Sequence, residues 1–297
     1  NGEYELAREN YFKSIETQLQ LYGEEHPDVA MTYTNLAFLS EKNGDYNSAM
    51  IYFEKALNIR KSVLDENHPD LAMSYNGIAG IYKVLAQYSS SIKYYSKALE
   101  ILHRVHGEKH PSIASVYGNL GVAYDKSGDK EKALEFYEKA LSLRLELLGD
   151  KHPDVAQSYN DLAALHDNNG NYNDARQYYK NALEIQLEVL GEKHPNVAVT
   201  YNNMGVVYNN LEMYPKAMDC YNKALEIQIG VYGENHPDVA TTCNNIGAVY
   251  FNYGNYAKAS EYLKRAYTIM KEFLPKGHPT LEIFRENIER VESMIGQ

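Results

Sequence analysis

Residues 194–235 read HPNVAVTYNNMGVVYNNLEMYPKAMDCYNKALEIQIGVYGEN, and this stretch holds two helical patterns separated by a turn. His194 stands where a helix cap would be. Pro195 suits the first turn, where its missing N–H costs nothing. Tyr201, Met204, Gly205 and Tyr208 follow at helical spacing and are expected to face a core. In the second half Tyr214, Ala217, Tyr221, Ala224, Leu225 and Ile227 share one side of another helix, which should end near Gly233. A Gly-Glu-x-His-Pro turn then opens the next unit.

The same pattern recurs along the whole chain. His-Pro occurs at His26-Pro27, His68-Pro69, His110-Pro111, His152-Pro153, His194-Pro195, His236-Pro237 and His278-Pro279, always 42 residues apart. One inserted residue would rotate every later side chain about the helix axis, so an unbroken interval means that like units stack on like units. Gly44-Asp45, Gly128-Asp129 and Gly170-Asn171 close the first helix of their units. The organisation expected is a single solenoid over 1–297. It would comprise a second helix of a truncated repeat (1–24), six complete repeats (25–66, 67–108, 109–150, 151–192, 193–234, 235–276) and a capping helix (277–297). Gly2-Glu3-Tyr4 matches Gly44-Asp45-Tyr46, so the chain opens inside a second helix, and about fourteen helices result. The last, from about Thr280 to Met294, carries Arg285, Glu289 and Glu292 where other repeats carry Tyr, Gly and Tyr, as a water-facing cap requires. The opening has no such cap, which leads to the expectation that further repeats or another domain precede residue 1.

The inner pattern of Tyr201, Met204, Gly205, Tyr208, Ala217, Tyr221 and Ala224 resembles the tetratricopeptide consensus. The long unit with A-L-E-I-x-L-x-V-L-G-E-x-H-P-D-V-A is similar to the kinesin-light-chain and nephrocystin-3 variety. The resemblance implies an all-α fold, a right-handed superhelical solenoid of antiparallel helix pairs whose concave wall binds other proteins. Gly205, Ala217 and Ala224 let helices approach closely while tyrosines fill the space between them.

In such folds the outer face of the first helix lines the groove. At 100° per residue that face carries Val199, Asn203, Val206 and Asn210, with Asn202 on its flank. Down the repeats the Asn203 column reads Asn35, Gly77, Asn119, Asp161, Asn203, Asn245 and Asn287. Its neighbour reads Thr34, Asn76, Gly118, Asn160, Asn202, Asn244 and Glu286. A carboxamide offers a donor and an acceptor together, so a ladder of them suits the backbone of an extended peptide. Met31, Phe38, Met73, Val84 and Val122 would add apolar slots in the first half, and Met adapts to irregular partners. The same amides also suit a structural role, bonding a neighbouring loop or carbonyl, and the sequence leaves both open.

Composition narrows the function classes. A net charge of −11 argues against a general nucleic-acid binder, which needs clustered Lys and Arg. No apolar run approaches the roughly 18 residues that cross a bilayer, so no membrane insertion is expected. Cys220 and Cys243 form no C-x-x-C motif and occupy slots mostly held by Tyr; buried thiols in a reducing, cytoplasmic compartment are expected. The seven His of the His-Pro pairs lie one per repeat and cannot converge on one ion, so no metal is expected and turn-stabilising bonds are the better reading. His103, His106 and His166 read as structural variants. No phosphate loop, H-E-x-x-H or nucleophile elbow is present, so no enzyme activity, catalytic residue or cofactor is expected.

Three functions compete at this level. The first is a scaffold that binds an extended or helical segment of a protein partner. The second is a sensor or autoinhibitory module of a larger signalling protein, whose partners would include other domains of the same parent chain, such as a nucleotide-binding or protease domain. The third, a cargo adaptor of the kinesin-light-chain type, is weaker. That family's groove is basic and takes acidic, tryptophan-bearing peptides, whereas only Lys42, Lys126 and Arg290 stand in these columns, opposed by Asp161. The same shortage of cations argues against a clamp for partner C-termini.

Overall fold

The computed structural model describes residues 2–295, which form fourteen helices and no strand. They are α1 (Gly2–Tyr22), α2 (Pro27–Lys42), α3 (Tyr46–Val63), α4 (Pro69–Val84), α5 (Tyr88–His106), α6 (Pro111–Ser127), α7 (Lys130–Leu148), α8 (Pro153–Asn168), α9 (Tyr172–Val189), α10 (Pro195–Asn210), α11 (Tyr214–Tyr232), α12 (Pro237–Asn252), α13 (Tyr256–Met270) and α14 (Pro279–Ile295). The chain divides into two compact units, Asn1–Leu147 and Leu148–Gln297. In the first, α1 is followed by the pairs α2/α3, α4/α5 and α6/α7. In the second, the pairs α8/α9, α10/α11 and α12/α13 are followed by α14. Within each pair a first (A) helix and a second (B) helix pack side by side, and each B helix also packs on the next A helix of its unit.

Local chemistry sets the helix boundaries. Every His of the seven His-Pro pairs accepts, through Nδ1, the backbone N–H two residues on, at 3.1–3.2 Å. Imidazole thus does the work usually given to Ser or Asp, satisfying one orphan donor of the first turn. Proline follows directly and needs no donor there. The A helices end at a left-handed residue: Gly44, Gly128, Gly170 and Gly254 have φ of +76° to +92°. In the two remaining units Ala86 and Glu212 hold that conformation at φ +57°. Asp45, Asp129 and Asn255 then cap the following B helices with their side-chain oxygens.

Each core is built from small residues under large ones. Ala49, Ala98, Ala175, Ala217 and Ala259 are fully buried, as are Tyr95, Tyr179, Tyr221 and Phe53. Gly205 faces the Tyr221 ring so closely that a Cβ there would lie 2.5 Å from Cε1. A second, polar device joins successive helices. The hydroxyls of Thr32, Thr200 and Thr242 donate to Gln18, Gln186 and Gln228 at 2.8–2.9 Å, always fourteen residues back. At the equivalent place Arg60, 1% exposed, donates to the Ser74 hydroxyl at 2.6 Å. A buried polar group left without a partner costs about 1–3 kcal/mol, so these pairs pin the register of B helix on A helix.

Candidate functional site

The A helices present the residues the helical pattern assigned to the groove. On α10, Val199 and Asn210 are exposed, Asn203 and Val206 are half-buried, and Val197, Ala198, Met204 and Val207 turn inward. In the first unit Met31, Phe38 and Val84 are exposed, while Met73 and Val122 are half-buried. Phe38 stands edge-on to Phe53, with ring centroids 5.1 Å apart. Tyr201 differs from expectation. It packs against the core of the second unit but is half-buried rather than enclosed, with the Lys223 ammonium 5.1 Å from the ring centre.

The amides are half-buried and partly spent on the fold. In the second unit Asn202 Oδ1 accepts from the Thr242 hydroxyl and from Asn245 Nδ2, both at 3.2 Å. Asn244 Oδ1 accepts from Asn287 Nδ2 at 3.2 Å, and Asn160 Oδ1 from the Thr200 hydroxyl at 3.2 Å. The Asn203 side chain hydrogen-bonds the buried Tyr179 hydroxyl. Asn210 donates to Asp167, whose carboxyl burial pushes upward, and Asp161 accepts from Gln157 at 2.8 Å. In the first unit Lys83 donates to Asn119 Oδ1 at 3.1 Å, while the buried Asn76 Oδ1 has no partner and Asn35 is half-buried. In the second unit Asn160, Asn202 and Asn244 therefore tie one A helix to the next, and Asn245 and Asn287 of the neighbouring column donate to the last two. The Oδ1 atoms of Asn245 and Asn287 accept no bond from the described residues and remain as acceptors on the A-helix face.

Beside Asn287 a small cavity of about 90 Å³ opens between α12 and α14. Ala248, Phe251, Asn252, Leu263, Arg290 and Val291 complete it, and the Arg290 guanidinium lies 4.2 Å from the centre of the Phe251 ring. Its size suits one or two methyl groups or a water molecule rather than a cofactor. Among the described residues no group of three or more His, Cys, Asp or Glu comes together that could hold a metal. Cys220 and Cys243 are buried free thiols; burial pushes Cys220 up to about 11 and Cys243 upward, the reverse of what a nucleophile needs. His103 bonds the Tyr117 hydroxyl, His106 stacks on His110, and His166 stacks on Tyr178, so each has a structural contact. Among the described residues no helix is long and apolar enough to cross a membrane.

A tetratricopeptide-repeat family model matches residues 1–62, 30–90, 70–146, 131–180, 154–229 and 197–272. The chain belongs to the tetratricopeptide-repeat family. No curated protein matches it. Among solved structures, BtubC (BKLC) from P. vanneervenii is 25% identical, with a TM-score of 0.62 over 85% of this chain and 93% of its own. A putative kinesin light chain with nearly identical TPR-like repeats from Podosopora anserina is 22% identical, with a TM-score of 0.60 over 70% of this chain and 98% of its own. The apo form of RapI is 17% identical, with a TM-score of 0.63 over 90% of this chain and 98% of its own. These likenesses establish the all-α, paired-helix solenoid fold. Tetratricopeptide repeats are protein-interaction scaffolds.

Proposed function

We propose that this chain holds an extended segment of a partner polypeptide along the A-helix face, with amides gripping the backbone and apolar slots selecting side chains. The observation that carries the reading is the free Oδ1 of Asn245 and of Asn287. Each amide is held in place by its own donor bond to the preceding repeat, leaving the acceptor available for a peptide N–H. Acceptors fixed before binding lose little entropy on contact, which is how a neutral groove gains affinity. The adjoining cavity beside Arg290 and Phe251 would take a small apolar side-chain tip. No step of this reading requires catalysis or a cofactor.

The test is a peptide array screened with the whole chain, followed by titration of the best binder against Asn245→Ala with Asn287→Ala. Removing two charge-neutral hydrogen bonds at about 1 kcal/mol each should weaken binding roughly thirtyfold while circular dichroism is unchanged. Unaltered affinity in a folded double variant would remove the amides from the interface.

A further inference from the structure

One repeat lacks an ion pair that the two repeats before it make, and a cavity stands in its place. In α7 and α9, Glu146 and Glu188 each pair with a lysine from the loop before their A helix, Lys109 and Lys151. The next repeat keeps the lysine, Lys193, but puts Gly230 where the glutamate would be. Lys193 makes no ion pair among the described residues. Gly230 is a helical glycine, and a Cβ built on it meets nothing within 4 Å. Around this gap lies a cleft of about 530 Å³, walled by Leu187 of α9, Tyr201 of α10, and Ile227 and Val231 of α11, with Lys193 and Lys223 beside it.

We infer that this cleft binds a small organic carboxylate carried on an aliphatic or aromatic body. The carboxylate takes the position on Lys193 that Glu146 and Glu188 occupy on their own lysines. The cleft is several times larger than a glutamate side chain, so the rest of the ligand lies against Leu187, Tyr201, Ile227 and Val231. Its volume falls in the range of pockets that take small molecules. Glu192 and Glu226 also stand at the rim. The site therefore has no net charge, so apolar contact supplies most of the affinity and Lys193 sets orientation. None of the proposed groove residues lines this cleft, so the inference is independent of the peptide-binding reading.

Hydrocinnamate is a suitable probe and its amide, hydrocinnamamide, the uncharged control, followed by amide-resolved NMR on the whole chain. The expected result is saturable shifts confined to the cleft residues, with the amide at least threefold weaker than the acid. Lys193→Gln, at an exposed position, should bring acid and amide to parity. Gly230→Glu adds a side chain to open space in a helix, so the fold is kept; it should weaken hydrocinnamate at least tenfold by restoring the ion pair and filling the gap. No saturable shift, equal binding of acid and amide to the unaltered chain, or full binding by Gly230→Glu would each overturn the inference. A blocked Glu-Phe dipeptide binding tenfold more tightly than hydrocinnamate would overturn the small-molecule assignment in favour of a partner's acidic side chain.

Discussion

Two glycine-to-alanine substitutions in one helix pair should move stability in opposite directions. Both Gly205 and Gly230 lie inside helices, α10 and α11, so alanine at either gains about 1 kcal/mol of helix propensity. At Gly230 nothing opposes the gain, because a Cβ there has no neighbour within 4 Å. At Gly205 the new Cβ would lie 2.5, 2.7 and 2.8 Å from Cε1, Cζ and Cδ1 of Tyr221. Ordinary carbon contacts need about 3.5–4.0 Å, so the ring must retreat by roughly 1 Å. Tyr221 is 1% exposed and packed in one core cluster with Ala217, Met204 and Tyr208. Overpacking of this kind costs about 1–3 kcal/mol, which exceeds the propensity gain. Gly205→Ala should therefore destabilise the pair by about 1 kcal/mol and Gly230→Ala should stabilise it by a similar amount. Repeat arrays need not unfold in one step, so a single melting temperature is the wrong readout. Hydrogen exchange of the α10 and α11 amides resolves the pair itself. Exchange in Gly205→Ala should be about fivefold faster than in the unaltered chain, and in Gly230→Ala about fivefold slower. Protection in Gly205→Ala equal to or above the unaltered chain would refute the packing argument.

Two further outcomes follow from backbone conformation and burial. Glu212 adopts φ +57° at a position where four repeats place glycine, so Glu212→Gly should stabilise its unit by about 1 kcal/mol, seen as slower exchange at the α10–α11 junction. Burial raises the Cys220 thiol from 9.0 to about 11 and raises Cys243, Tyr95, Tyr179 and Tyr221 as well. The unfolded chain therefore gives up these protons at lower pH than the folded one, and stability should fall as pH rises from about 9 toward 11. A urea midpoint that stays level across that window would count against buried, protonated thiols and phenols.

How far the sequence reaches depends on the kind of question. Seven His-Pro pairs at one interval determine the helix count, and the cap geometry follows from the residue types, since a His before a Pro can serve only the first turn. The helical wheel also sets Val199 and Asn210, which are exposed, apart from Met204 and Tyr208, which are buried. Tyr201 packs on the core as its angle requires, yet stays half-buried with the Lys223 ammonium over its ring, because an angle assigns a direction but not the depth of cover. Pairing is hidden for a related reason. Asn202 and Asn245 look like equivalent amides in two columns, yet one accepts and the other donates, and the Thr242 hydroxyl directed at Asn202 Oδ1 decides which. The cleft at Gly230 had a readable signal. Lysine and glutamate alternate 37 residues apart in two repeats, and the third keeps only the lysine.

The hydrogen bonds of the second unit connect the core to the proposed groove. Gln228 on α11 accepts from Thr242 on α12, which also donates toward Asn202 on α10; Asn202 accepts in turn from Asn245. Buried side chains in this chain of bonds cannot rotate without leaving an acceptor unsatisfied, at about 1–3 kcal/mol for each one. The last amide therefore inherits its orientation from residues far from any ligand. The first unit lacks part of this relay. Leu102 and Val116 stand where Gln228 and Thr242 stand in the second, and Asn76 Oδ1 is left buried without a partner. That half of the chain offers Met31, Phe38 and Val84 on the same face instead. The second unit therefore offers oriented amides and the first adaptable apolar side chains, a difference that follows from which buried bonds each unit retains.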